Sequence, residues 1–316
     1  MKRRTNLFQP PTITPWQRML ATGILLFLVV APSPSSEVII VISADLPPYR
    51  QAQEALTISL ASEHCSMVTL EQITADITTL PANADCVVAI GSAAAIWLHE
   101  RKVAISPLIY CMVSDPLTAG LQKMPTAMGI STDVPPDQQI QLITETLPHA
   151  RTIGLLYRHG DEQSRQAMEK SRALLPQGWK LEIVAIDLQG SPAIAIDLLL
   201  SRNIDVVWTT PDTVIWNEAT VRSLLLTSLR RRVPVFGFST SFVRAGALFG
   251  VGLEPATQGK QAAALVRDVL NKKTLTNTVT PPIYDISLNL VVAQKLSLTL
   301  PPAVVQRAKH IFQPGR

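Results

Sequence analysis

Thr209, Thr210, Asp212 and Thr213 stand directly after the apolar run Ile204–Trp208, and Ser239, Thr240 and Ser241 directly after Val233–Phe236. Hydroxyls and a carboxylate at successive strand ends suit a site that grips a small polar molecule: the carboxylate pairs with an ammonium group and the hydroxyls share hydrogen bonds. The first half of the chain offers a counterpart in Gly91–Ser92, after Asp85–Ile90, and in Ser114–Asp115, after Ala104–Val113. Gly lets backbone amides approach a carboxylate, and Ser caps a following helix, so turn chemistry and ligand contact both stand here. Asp115 precedes Pro116, and Asp-Pro also opens turns; ammonium pairing and turn stabilisation therefore remain side by side for it. The candidate ligand-binding set is Gly91, Ser92, Ser114, Asp115, Asp212, Thr213 and Ser239. Tyr49, Trp208, Trp216 and Phe242 are candidates for an aromatic wall, with the two Trp also reading as core.

Other chemistries lack their signatures. The chain has no GxSxG elbow, no HExxH, no P-loop and no GxGxxG after a strand, and Ser239 has no evident base. The 5 His, at 64, 99, 149, 159 and 310, show no ligand spacing, so no catalytic residue, metal or cofactor is expected. Cys65, Cys86 and Cys111 show neither CxxC nor zinc spacing; Cys86 and Cys111 sit in apolar strand patterns and read as buried thiols. A Cys65–Cys86 bridge stays open.

The elements that must position the candidates alternate. Glu37–Ser43, Met67–Leu70, Asp85–Ile90 and Ala104–Val113 read as strands separated by helices after Leu46 and over Ala93–Glu100. A second series follows: helix over Pro136–Leu147, strand Thr152–Tyr157, helix Gln163–Leu175, strand Lys180–Ile186, helix Ala193–Ser201, then the strand at Ile204. Strands apolar on both faces belong in sheets covered by helices on both sides, with right-handed crossovers. Between Leu117 and Pro136 the periodicity fades into Gly, Pro, Thr and Asp, and the first passage between lobes is expected there. The expected division is residues 37–117 plus 246–275 for an N-terminal lobe, and 118–245 plus 276–316 for a C-terminal lobe.

Residues 1–36 carry Lys2, Arg3, Arg4 and Arg18, then the apolar run Leu20–Ala31 and the small residues Pro32–Ser36, the pattern of a cleavable secretory signal. The run is shorter than the roughly 20 residues needed to span a bilayer. Those cations account for the whole net charge of +4; without them 24 Lys and Arg face 24 Asp and Glu. A neutral mature protein lacks the positive field that phosphate backbones require, so no nucleic-acid partner is expected. Arg230–Arg232 closes a helix, where cations complement the dipole.

Against this background the segments VVAIGSAAA, MVSDPLTAGL, MGISTDVPPDQQIQLITETLPHARTIGLLYRHGDEQS, PDTVIW, RVPVFGFSTSFVRAGAL and LNLVVAQKLSLTLPPAVVQRA carry a resemblance spanning Val87–Lys309. In order and spacing the chain resembles the ABC-transporter substrate-binding proteins that include the tryptophan- and tyrosine-type binders. It departs from them over Glu37–Ala84, which is abbreviated. The resemblance implies an α/β fold of two lobes, a type I periplasmic binding protein of venus-flytrap form, each lobe a parallel sheet flanked by helices. By motif it matches Gly91 and Ser92 to a first-lobe GT or GS loop, Ser114 and Asp115 to a DP turn, Asp212 and Thr213 to a second-lobe acidic loop, and Ser239 to a polar strand exit. It further implies a non-enzymatic, monomeric periplasmic protein that binds a small polar metabolite, an amino acid among the candidates, and delivers it to an inner-membrane ABC permease. The alternative is a ligand-sensing or protein-interaction role that keeps the fold without a transporter.

Overall fold

The computed structural model describes residues 36–75, 84–101, 107–114, 116, 119–160, 162–186, 191–212, 214–273 and 278–313. The expected signal segment, Asp115 and Thr213 lie outside the described residues. No helix of the described residues is long and apolar enough to cross a membrane.

The chain opens with β1 (Glu37–Ile42), α1 (Pro47–Ser59), β2 (His64–Thr69), α2 (Leu70–Ala75), β3 (Cys86–Ile90), α3 (Ser92–Glu100), β4 (Leu108–Cys111) and β5 (Ala127–Ile130). β1 alternates strictly. Val38, Ile40 and Ile42 share one core with Ala52 and Leu56 of α1, while Ile39 and Val41 share another with Ala94, Ala95 and Leu98 of α3. A strand buried on both faces this way must lie inside a parallel sheet.

The second series is α4 (Pro136–Thr146), β6 (Thr152–Arg158), α5 (Glu162–Ala173), β7 (Lys180–Ile186), α6 (Pro192–Ser201), β8 (Val206–Trp208), α7 (Glu218–Arg230), β9 (Val235–Gly237), α8 (Thr240–Ala245) and β10 (Phe249–Gly252). Asn217 caps α7 in a reciprocal box with Thr220. After β10 come α9 (Pro255–Leu270), β11 (Val279–Thr280), β12 (Asp285–Asn289), α10 (Leu290–Leu296), α11 (Pro302–Arg307) and β13 (His310–Phe312).

Two sheets result, ordered β11-β5-β4-β3-β1-β2 and β13-β12-β10-β9-β8-β6-β7. Each contains the doubly wound order 2-1-3-4-5, the arrangement in which ligands bind beyond the carboxyl ends of strands where the winding reverses. β12 departs from the parallel expectation: it enters beside the carboxyl end of β10 and so runs antiparallel to it, Gly252 opposite Asp285.

Strand membership moves the expected lobe boundaries. β5 pairs with β4 in the first sheet, so the chain leaves that lobe at residues 131–135, after the expected boundary at 117. β10 pairs with β9, so the return lies at 253–254, after the expected 246, and β11 pairs with β5, which sets the last passage at 281–284 instead of 276. The 127–130 strand was hidden because it is short and set among Gly, Pro and Thr. Returning to the first lobe, α9 lies against α1 so closely that a Cβ on Gly259 would stand 2.0 Å from the carbonyl oxygen of Ala52. Ala262, Ala263 and Val266 complete the core begun by β1, β3 and β5.

Two glutamines of α9 gather the passages. Gln258, 2% exposed, donates to the Ser131 carbonyl at 3.0 Å and accepts from the Met112 amide at 3.4 Å. Gln261 donates to the Pro281 carbonyl and accepts from the Ile283 amide. The first and third passages are thus tied to the helix that follows the second.

Candidate ligand site

The segments that leave β1, β4 and β5 open into a pocket of about 390 Å³ lined by Leu46, Tyr49, Met112, Ser114, Thr132 and Gln258, with Leu253 of the second passage and Pro255 at the start of α9 on its rim. Gly91 packs against Tyr49, one of the lining residues. Its φ of +95° is a conformation side chains rarely adopt, and a Cβ there would stand 2.5 Å from Ser43 Oγ and 2.9 Å from the Tyr49 ring. The Gly91 amide, expected to receive a carboxylate, instead donates to the Cys111 carbonyl at 3.0 Å. Ser43 Oγ accepts from the Ala94 amide at 2.9 Å, satisfying one of the orphan donors at the start of α3. Ser92 Oγ accepts from the Ser114 amide at 3.2 Å, which binds the β3 and β4 exits together. Ser114 itself is exposed and lines the pocket.

At the second sheet, Asp212 is engaged. Its Oδ2 accepts from Arg158 Nε at 2.6 Å, and its Oδ1 accepts from the amides of Val214 and Ile215 at 2.9 and 3.2 Å. The Asp212 side chain is 9% exposed and that of Arg158 25%. In this structure the Asp212 carboxylate closes a turn and holds a guanidinium at the β6 exit. Ser239 caps α8, its Oγ accepting from the Phe242 amide at 3.2 Å. It borders a different hollow, about 490 Å³, between α7 and α8, with Trp216, Phe238 and Phe242 in its wall.

The four aromatics do not form one wall. Trp208 is core, 1% exposed, its Nε1 donating to Gln139 Oε1 at 2.8 Å. Trp216 and Phe242 meet edge to face at 5.9 Å, and Tyr49 stands in the first-lobe pocket. His159 is exposed in the turn after β6. Sequence reading missed Ser43, Arg158, Met112, Thr132 and Gln258. Ser43 and Arg158 each end an apolar strand, the signal that selected Ser114; Gln258 lies inside a helix, where nothing marks it.

The cysteines are free. Val38 of β1 pairs with Cys65 on one side and Cys86 on the other, so the two Cys lie two strand spacings apart, about 9–10 Å. That exceeds the span of a disulfide, which closes the Cys65–Cys86 option. Glu254, Asp285 and His310, scattered in sequence, come together here despite the absence of ligand spacing: one ligand atom from each lies within 4.8 Å of the others.

A sequence model of the family "ABC transporter substrate binding protein" matches residues 52–312. The chain belongs to that family. No curated protein matches it. Among solved structures it is similar to a substrate binding protein with adhesive properties from Clostridium difficile, in its ligand-free, open form, at 18% identity and TM-score 0.70, covering 88% of this chain and 100% of that one. It is also similar to an ABC domain in complex with L-Trp from Streptococcus pneumoniae, at 21% identity and TM-score 0.57, with coverage of 88% and 100%. A periplasmic ribose ABC transporter protein from Conexibacter woesei matches at 14% identity and TM-score 0.54, over 88% and 98%. These likenesses establish the fold as that of type I periplasmic binding proteins, and the family implies a small-molecule ligand and an ABC permease partner. The substrate-binding protein has a complete first sheet: the abbreviated segment at Glu37–Ala84 still supplies β1, α1 and β2.

Proposed function

We propose that this substrate-binding protein is a periplasmic component of an ABC import system, exported through the segment at residues 1–36, acting as a monomer without catalytic activity or a nucleic-acid partner. It holds a small polar metabolite between its lobes and hands it to an inner-membrane permease. The observation that carries this reading is the pocket where the exits of three strands of the first sheet meet the second passage, because a cavity lined by both a lobe and a passage changes shape as the lobes close. Its volume suits a molecule of amino-acid size. Ser114, its amide held by Ser92, supplies a polar contact from the first lobe, and Asp115, next to it in sequence, is its proposed anionic partner; Arg158, oriented by Asp212, supplies a cation from the second. A ligand with both a carboxylate and an amine fits this division of charge, and it selects the closed state by touching both lobes.

A thermal-shift screen of the purified protein against amino acids, peptides, nucleosides, sugars and organic acids tests the reading. A ligand at a hundredfold excess over its dissociation constant stabilises the folded state by about 2.7 kcal/mol. A hit among amino acids supports it; a well-folded sample that responds to no class overturns it in favour of a protein-partner role.

A further inference from the structure

The second passage ends at Glu254, the third ends at Asp285, and β13 begins at His310, so three segments distant in sequence deliver a carboxylate, a carboxylate and an imidazole to one point beside the passages. His310 Nε2 lies 3.3 Å from Glu254 Oε1 and 3.9 Å from Asp285 Oδ2. It is sequestered from solvent and makes no hydrogen bond. An imidazole nitrogen and two carboxylate oxygens brought this close, with no hydrogen bond made by the nitrogen, form a donor set that a single cation satisfies together. Zinc bound tetrahedrally at about 2.0–2.2 Å sets its ligands roughly 3.3–3.6 Å apart, close to the two separations observed. The chemistry of the donors, one imidazole and two carboxylates, is that of a borderline divalent transition metal.

We propose that Glu254, Asp285 and His310 bind one zinc-class divalent ion, with a water completing the coordination, and that the ion clamps the second and third passages to β13. The remaining polar contact is Lys309 Nζ, 2.8 Å from Asp285 Oδ2. Lys309 balances the carboxylates in the metal-free protein, and the ion displaces it. That competition gives a signature that a passive ion-pair cluster would lack.

The test titrates cobalt and zinc into the purified, chelator-stripped full-length protein with no organic solute present, so its failure leaves the solute-binding reading untouched. Cobalt d–d absorption and calorimetry report coordination and stoichiometry. One ion binds per chain; His310→Asn weakens binding by at least about tenfold, a loss already typical of outer-shell partners, and Lys309→Met strengthens it. Glu254→Gln, at a partly exposed position, repeats the loss should His310→Asn fail to fold. The site is refuted by the absence of saturable binding, or by equal affinity in wild type and both ligand variants, which would place any bound ion at the other His residues.

Discussion

Arg158 Nε donates to Asp212 Oδ2 at 2.6 Å, joining the exits of two neighbouring strands, β6 and β8. Removing Asp212 therefore does more than delete a carboxylate from a binding site. Asp212→Ala removes a charged acceptor from the partly buried Arg158 guanidinium and leaves the Val214 and Ile215 amides without their side-chain acceptor, a loss of about 2–3 kcal/mol. Asp212→Asn keeps an acceptor for the turn amides but sets an NH2 against Arg158 in place of Oδ2, losing the charge and that hydrogen bond, so urea denaturation ranks the variants wild type, Asn, Ala. Equal stability of wild type and Ala would dissolve the pair's structural role.

Gly91→Ala places a Cβ against Ser43 and Tyr49 in a left-handed backbone. Strain and overlap together cost about 2 kcal/mol or more. Because the overlap displaces Tyr49, which lines the pocket, ligand affinity drops as well, which calorimetry with the screened ligand measures.

Gly259→Ala at the α1–α9 contact meets backbone, not a movable side chain, and is expected to destabilise by about 3 kcal/mol. Gln258→Leu strips partners from the Met112 amide and Ser131 carbonyl at a cost of about 1–3 kcal/mol. The second variant also loosens the passages, so its hydrogen exchange rises at residues 131–135 and not throughout the protein; uniform protection across that segment would show that Gln258 does not tie it.

Burial pushes the Cys86 and Cys111 thiols up to about 12, so neither forms thiolate near pH 8 while the protein is folded. Native alkylation at that pH is expected to label Cys65 alone, and denatured protein to take three labels. Double labelling of the native state would mean that one of the two buried strands opens.

Burial pushes the Glu145 carboxyl up, but hydrogen bonds from Arg307 and Gln141 and the charge of Arg307 outweigh it and hold the group below its ordinary range. A depressed folded value gives stability that is present above the unfolded pKa and lost as pH falls through the folded one. Glu145→Gln should therefore lower stability most at neutral pH and converge with wild type in acid, which flattens the acid limb of the stability curve below about pH 4.5. An unchanged acid limb would assign acid sensitivity to other carboxylates.

What could be read from the residues alone follows physical lines. Strands such as Glu37–Ile42 and Asp85–Ile90 were legible because burial on both faces forces unbroken apolar runs, and the two-lobe class followed from their alternation with helices. β5, β11 and β13 were not legible: each is held by its neighbours' hydrogen bonds and has too few residues to show a period. At the site, strand ends with polar residues were visible, but the partner of each was not. Nothing local to Asp212 announces Arg158, 54 positions away, and nothing local to Gly91 announces Cys111 as the acceptor of its amide.

The helix that completes the core of the first lobe, α9, is made only after most of the second, from Pro136 to Gly252, has been synthesised. A nascent chain consequently carries β1, β3 and β5 with half their apolar cover missing until Val266 and Val269 arrive. Folding of the first lobe must wait for the last quarter of translation, and the second lobe waits longer still, because Ile286, Leu288, Ala293 and Val304 of its core are made after α9, so both lobes close only near the end of synthesis.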